Sequence, residues 1–226
     1  LVDRNDRMLG AMRRVHADGI FEYEMPSRLR AYRFRISNAD GQSQLRDDAY
    51  RFPSTLGSLD LHLLGEGSHE QMFTKLGAHC MRVMGVAGTC FSVWAPNASR
   101  VSVIGDFNGW DGRRHVMRLH PGNGIWEIFV PGTGPGAHYK FEMLDQAGKL
   151  LPFKSDPVGQ YHEAPPGNAS VVYRSRHRWR DDEWMQQRNM TPRLDEPVSI
   201  YEVHLGSWRQ ADDERFINYR DLADQL

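Results

Sequence analysis

Short apolar runs broken by turn residues dominate the middle of the chain. "FSVWAP" (91–96), "RVSVIGD" (100–106), "GIWEIFVP" (124–131), "AHYKFEML" (137–144) and "ASVVY" (169–173) are rich in β-branched and aromatic residues. Pro-Asn, Asn-Gly, Pro-Gly and Ala-Gly pairs bound them at the spacing of a β-sandwich. The glycines of "PGTGPGAHYKF" (131–141) mark a turn. They lack the spacing of a dinucleotide fingerprint, and a strand follows them instead of a helix. From residue 197 the pattern changes. "PVSIYEVHLGSW" (197–208) predicts a strand of the buried kind, and polar "RQADDERFIN" (209–218) follows it. Tyr219, Leu222, Ala223 and Leu226 then fall at i, i+3, i+4 and i+7, the stripe of an amphipathic helix. Asn218 is its N-cap, and Asp221 suits the positive end of its dipole. One strand and one helix make no closed fold, so a parallel α/β domain is expected to continue past Leu226.

The pattern also repeats. "MRRVHADGIFEYEMP" (12–26) lies against "MRLHPGNGIWEIFVP" (117–131) at a constant offset, since 117 − 12, 125 − 20 and 131 − 26 all equal 105. After a two-residue slip "AYRF" (31–34) matches "HYKF" (138–141), and Asp48 falls near Asp156. A duplicated domain of roughly a hundred residues accounts for this. On the same offset, the first copy's counterpart of "FSVWAP" would precede residue 1. Residues 1–74 are therefore expected to be the rear part of a first sandwich, with an open apolar face. The second sandwich is expected over 75–176, a linker over 177–196, and the start of the α/β domain over 197–226.

Composition narrows the function classes. The chain has 226 residues, 40% hydrophobic and 25% charged, with a formal net charge of −1, which fits a globular protein of one or two domains. The neutral balance argues against nucleic acid, whose binders carry a clustered basic excess. The basic run "RSRHRWR" (174–180) is followed at once by "DDE" (181–183) and reads as a solvated linker. No apolar run approaches the ~18 residues of a membrane helix, and no signal-peptide pattern opens the chain. Cys80 and Cys90 sit outside any paired metal spacing, so reduced thiols in a cytoplasmic protein are expected, with no metal and no cofactor.

"FSVWAPNASRVSVIGDFNGWDGRRHVM", "GIWEIFVPG" and "YKFEM" resemble the glycogen-binding-type carbohydrate-binding module of the α-amylase superfamily. "YRFPSTLGSLDLHLLGEGSHEQMFTKLGAH" (50–79) and "SIYEVHLGSWR" (199–209) resemble bacterial 1,4-α-glucan branching enzyme. The resemblance implies a mostly β chain: two tandem immunoglobulin-like β-sandwich modules, the first truncated, then the first strand and helix of a catalytic (β/α)₈ barrel. It implies that the whole enzyme cleaves α-1,4-glucan chains and transfers them to a 6-hydroxyl by a retaining mechanism. The two carboxyl groups of such a mechanism stand about 5–5.5 Å apart. Glu202, Asp212, Asp213 and Glu214 match none of the family's catalytic motifs, so no catalytic residue is assigned. The implied partners are glycogen and the remainder of the barrel.

The resemblance places a stacking tryptophan at Trp110, a lysine at Lys140 and an asparagine at Asn168. Two readings of Trp110 stay open. Its ring either lies flat against glucose C–H groups, or covers the sandwich end against the barrel. The turn "LDQAGKLLPF" (144–153) lacks the second stacking tryptophan of strong glycogen binders. Phe107 and Trp126 are expected in the core. Two further functions compete: a glycogen-tethering subunit and a debranching enzyme. A tethering protein has no reason to begin a barrel, and debranching relatives typically carry one module.

Overall fold

The computed structural model describes residues 1–25, 31–190, 197, 199–209 and 216–225. Leu1–Ser175 and Arg176–Leu226 form separate compact units.

The heart of the first unit is a β-sandwich. One sheet has the order β5-β6-β9-β8, with β5 Gly77–Val83, β6 Val86–Trp94, β8 Arg118–His120 and β9 Ile125–Pro131, all antiparallel. The other has the order β11-β10-β7, with β7 Arg100–Gly105, β10 His138–Leu144 and β11 Ser170–Val171. Alternation decides what lies between them. Phe91 and Val93 from β6, Trp126, Ile128 and Val130 from β9, Val101 and Val103 from β7, and Tyr139 and Phe141 from β10 form one buried cluster. Trp126 is in this core as expected, its indole N–H bonded to the Ala95 carbonyl at 3.0 Å. Phe107 packs on its edge, 5.5 Å from Phe91 between ring centroids. The β5–β6 hairpin closes through Met84 and Gly85 at φ 51° and 82°, the left-handed pair that a two-residue turn between twisted strands requires.

The outer face of the four-stranded sheet is covered as well, which is why β9 reads as nearly continuous apolar sequence. Phe52 packs on Cys90 and Phe129, and Leu56 and Leu76 pack on Ile125. Helix α1, Ser58–Glu66, lies in this covering segment. Between these two clusters sits Glu127, 3% exposed, which accepts from Ser54 Oγ (2.6 Å), Thr55 N (2.6 Å), Thr55 Oγ1 (2.7 Å) and His120 Nε2 (2.8 Å). Burial and the neighbouring Glu127 charge push the Cys90 thiol up to about 12, so it is unreactive.

The first seventy residues differ from one sheet of a sandwich. They hold two separate hairpins, β1 Arg13–His16 with β2 Ile20–Glu22, and β3 Arg33–Ser37 with β4 Ser43–Asp47. Val15, Ile20, Phe21, Ile36 and Leu45 are exposed on them. Part of one register nonetheless follows the repeat, before the bulge between Arg14 and His16. Arg13↔Glu22 and Arg14↔Phe21 correspond at an offset of 105 to Arg118↔Glu127 and Leu119↔Trp126. Tyr32 donates to Asp48 at 2.5 Å, as Tyr139 donates to Asp156 at 2.6 Å.

In the second unit, the expected linker contains helix α2, Asp182–Met190, with Arg188 over the Trp184 ring at 5.4 Å. The strand expected over 197–208 is not formed by its described residues. Residues 199–204 carry no ladder, and Leu205–Trp208 is a short helix, α3. A buried strand persists only where neighbours take its N–H and C=O groups. Val198 and residues 210–215, with Asp212, Asp213 and Glu214, lie outside the described residues; Glu202 is exposed. The C-terminal helix is present as α4, Tyr219–Ala223, and the Asn218 side chain caps it by accepting from Arg220 N and Asp221 N at 3.0 and 3.1 Å. No helix among the described residues is long and apolar enough to cross a membrane, and no group of three or more His, Cys, Asp or Glu there would hold a metal.

Candidate functional site

Strand β10 turns Tyr139 and Phe141 into the core, so His138, Lys140 and Glu142 line its outward face. Lys140 pairs with Ile104 of β7. Its ammonium donates to the Asn168 side-chain oxygen, and Ser155 Oγ donates to the Asn168 carbonyl. An ammonium has three donors, and this bond takes one. Lys140 and Asn168 are thus brought together as the resemblance implied.

Trp110 reaches this face through the turn that follows β7. The 3-10 turn Asp106–Asn108 ends in Gly109 and Trp110 at φ 66° and 60°. A left-handed φ costs a bulky L-residue roughly 1–3 kcal/mol and persists only where surrounding bonds impose it. Here Trp110 N bonds Gly105 O at 3.1 Å, while buried Asn108 holds the turn from inside, accepting from Gly105 N at 3.0 Å and donating to Val103 O at 2.9 Å. The turn touches the outward row at both ends. Asp106 accepts from His138 at one end. At the other a Cβ on Gly112 would lie 2.1 Å from Glu142 Oε1, so the backbone presses on that side chain. Lys140 stands between His138 and Glu142, and the Trp110 turn runs beside it. Trp110 is 37% exposed.

Four residues of this face were missed in the sequence. The His138 N–H, followed by its ring and the Trp110 indole, holds the Asp106 carboxyl below the usual carboxylate range. Glu163 lies 3.7 Å from His138 Nε2 and accepts from Ala169 N at 2.7 Å. Phe153 is the fourth. Phe141 bridges Lys154, which sets Phe153 beside Glu142 on the outward face, and Phe153 is 46% exposed. A second ring therefore stands on the turn where no tryptophan was found. Only the pairing of β10 with residue 154 reveals it.

Chemically, flat aromatic surface can stack on sugar C–H groups, while an ammonium and an amide can donate to hydroxyls. The model for carbohydrate-binding module 48, the isoamylase N-terminal domain, matches residues 75–159. The 1,4-alpha-glucan branching enzyme GlgB of Rhodospirillum rubrum is 51% identical over 225 residues, covering 98% of this chain and 30% of that protein. This chain is homologous to 1,4-alpha-glucan branching enzymes. GlgB of Rubrobacter xylanophilus is 52% identical over 221 residues, covering 97% of this chain and 30% of its own length. The chain therefore spans about 30% of the length of these curated relatives. Among solved structures, the type I pullulanase of Bacillus subtilis complexed with maltose aligns at 25% identity with a TM-score of 0.38, over 46% of this chain and 14% of that one.

Proposed function

We propose that this chain is part of a glycogen branching enzyme that cleaves α-1,4-glucan and transfers the cut chain to a 6-hydroxyl, forming an α-1,6 branch. The face built by Trp110, Lys140, Asn168 and Phe153 holds α-glucan away from the chemistry. Catalysis resides in a (β/α)₈ barrel that residues 197–226 begin, and the glucan reaches it in the cytoplasm, where unpaired Cys80 and Cys90 stay reduced. Residues 1–74 are the rear part of a first sandwich module, a reading supported by the two matched residue pairs of the β1–β2 hairpin and the two Tyr–Asp bonds.

One observation carries the binding role. A tryptophan is kept in a left-handed conformation, where glycine is cheaper, and stays 37% exposed on the turn that touches His138 and Glu142, the neighbours of Lys140 on its face. A residue serving only to fill the turn has no reason to bear that cost. The test is calorimetric titration of the whole 226-residue chain with maltoheptaose. Trp110→Ala is expected to weaken binding at least about tenfold, equivalent to 1.4 kcal/mol. Equal binding by the variant, or none by the folded wild-type chain, overturns the reading.

A further inference from the structure

The outward face of β10 continues across β11 onto a further segment. In the β10–β11 ladder Tyr139 stands opposite Ser170 and His138 opposite Val171. Opposed residues project to the same side of a sheet, so Ser170 points inward with Tyr139 and Val171 lies outward with His138. Residues 161–163 then pair with β11. Val171 N donates to Tyr161 O at 2.8 Å and Glu163 N to Ala169 O at 3.0 Å, around a bridge between His162 and Ser170. His162 Nδ1 lies 3.3 Å from Ser170 Oγ, on the inner side, so alternation turns Tyr161 outward. Val172 is in the core, which turns Tyr173 outward as well. Ring geometry agrees with this placement. The Tyr161 and Tyr173 centroids are 5.7 Å apart with 23° between planes, a stacked pair, and the residues are 55% and 42% exposed.

We propose that Tyr161 and Tyr173 form a second aromatic subsite of this face, which takes the distal glucose residues of an α-1,4-glucan seated at Trp110 and Lys140. The inference rests on the reading that this face binds glucan. Tyr161 stands two strand spacings from β10, about 10 Å, while the Trp110 turn follows β7 on the other side of β10. A disaccharide held at Trp110 and Lys140 does not reach Tyr161. A longer chain crosses β11 and does. The rings offer flat surface to sugar C–H groups, and each phenol both donates to and accepts from sugar hydroxyls. Tyrosine has few torsions to freeze, and each of these rings already holds the other, so stacking costs little ordering entropy. Two adjacent exposed aromatic side chains add little to the sandwich core. Such a patch, rimmed by polar groups, is typical of a ligand groove.

The test compares two sugar lengths on the whole 226-residue chain. Maltose and maltoheptaose are titrated into the wild type, Tyr161→Ala, Tyr161→Phe and Trp110→Ala, with binding followed by NMR. Tyr161→Ala is expected to weaken maltoheptaose binding about fivefold, the scale of one aromatic stacking contact, and to leave maltose binding unchanged. Tyr161→Phe keeps the ring and should retain most of the affinity. In the wild type, the ring resonances of Tyr161 and Tyr173, assigned by their loss in Tyr161→Phe and Tyr173→Phe, should shift on addition of maltoheptaose. Where alanine unfolds the chain, those ring shifts alone decide. Unchanged maltoheptaose affinity in folded Tyr161→Ala overturns the subsite, and so does an equal loss for both sugars or rings that do not shift. If Trp110→Ala weakens binding in that case, the glucan reading stands without the extension. A wild-type chain that binds neither sugar overturns the glucan reading, and the subsite with it.

Discussion

Glu127→Ala is expected to destabilise the sandwich unit by about 3–5 kcal/mol, the range for removing one partner of a buried charged network. The side chain is 3% exposed and gathers the Ser54 and Thr55 hydroxyls, the Thr55 N–H and the His120 ring. Alanine leaves these donors facing a void, with Cys90 Sγ 3.5 Å from the lost Oε1. The loss also loosens the segment that carries Phe52 and Leu56 onto the sheet. The pH dependence follows from the same contacts. Burial raises the Glu127 pKa, but Ser54, Thr55 and His120 together pull it further down, so it lies below the ordinary 4.5. A carboxyl depressed in the folded state stabilises fully above its unfolded pKa, and that contribution fades as pH falls through the folded value. Urea titrations at pH 7 and in steps below 4.5 check this. The wild-type chain should lose stability over that acid range more steeply than the variant, and Glu127→Gln should fall between them. A loss under 1 kcal/mol at pH 7 would mean that water replaces the carboxylate.

The strands of the β-sandwich were legible because both periodicity and turn chemistry mark them. "FSVWAP" and "GIWEIFVP" lie in β6 and β9, and "HYKFEML" lies in β10. β5 and the first half of β6 were missed: "GAHCMRVMGVAGTC" mixes small and polar residues, and its Met-Gly turn is an unusual pair for φ > 0. Helix α1 was missed too, because "SLDLHLLGE" is short and its apolar residues contact a sheet distant in sequence. The strand expected at "IYEVHL" shows the opposite failure, since apolar alternation promises a strand only where partners take its ladder. For the site, resemblance supplied Trp110, Lys140 and Asn168. Asp106, His138, Glu163 and Phe153 depend on which residues the ladders set side by side. Register between distant segments is not written in local pattern.

Tyr139→Phe is expected to cost about 3 kcal/mol, the upper part of the range for stranding a buried polar partner and more than a neutral bond carries. The repeat supplies its control. Tyr139 and Asp156 are 1% and 2% exposed, and the hydroxyl donates to Oδ2 at 2.6 Å while Val158 N donates to Oδ1 at 3.0 Å. Remove the hydroxyl, and a buried carboxylate keeps one donor fewer with no water to replace it. Tyr32 makes the matching bond to Asp48 at 2.5 Å, but both residues are only half-buried. There water takes the vacated place, so Tyr32→Phe should cost less than about 1 kcal/mol. Burial raises the Asp156 pKa more than Tyr139, Val158 and nearby histidines lower it. A carboxyl raised in the folded state costs stability as pH rises from its ordinary value through the raised one, and losing the Tyr139 donor raises it further. The penalty of Tyr139→Phe should therefore shrink as pH is lowered through the raised value, as Asp156 takes up a proton and no charge is stranded. Thermal unfolding of both variants at pH 7 and pH 4 separates the cases. Equal costs for Tyr139→Phe and Tyr32→Phe at pH 7 would mean that water reaches Asp156, and that the two bonds differ in sequence position but not in physics.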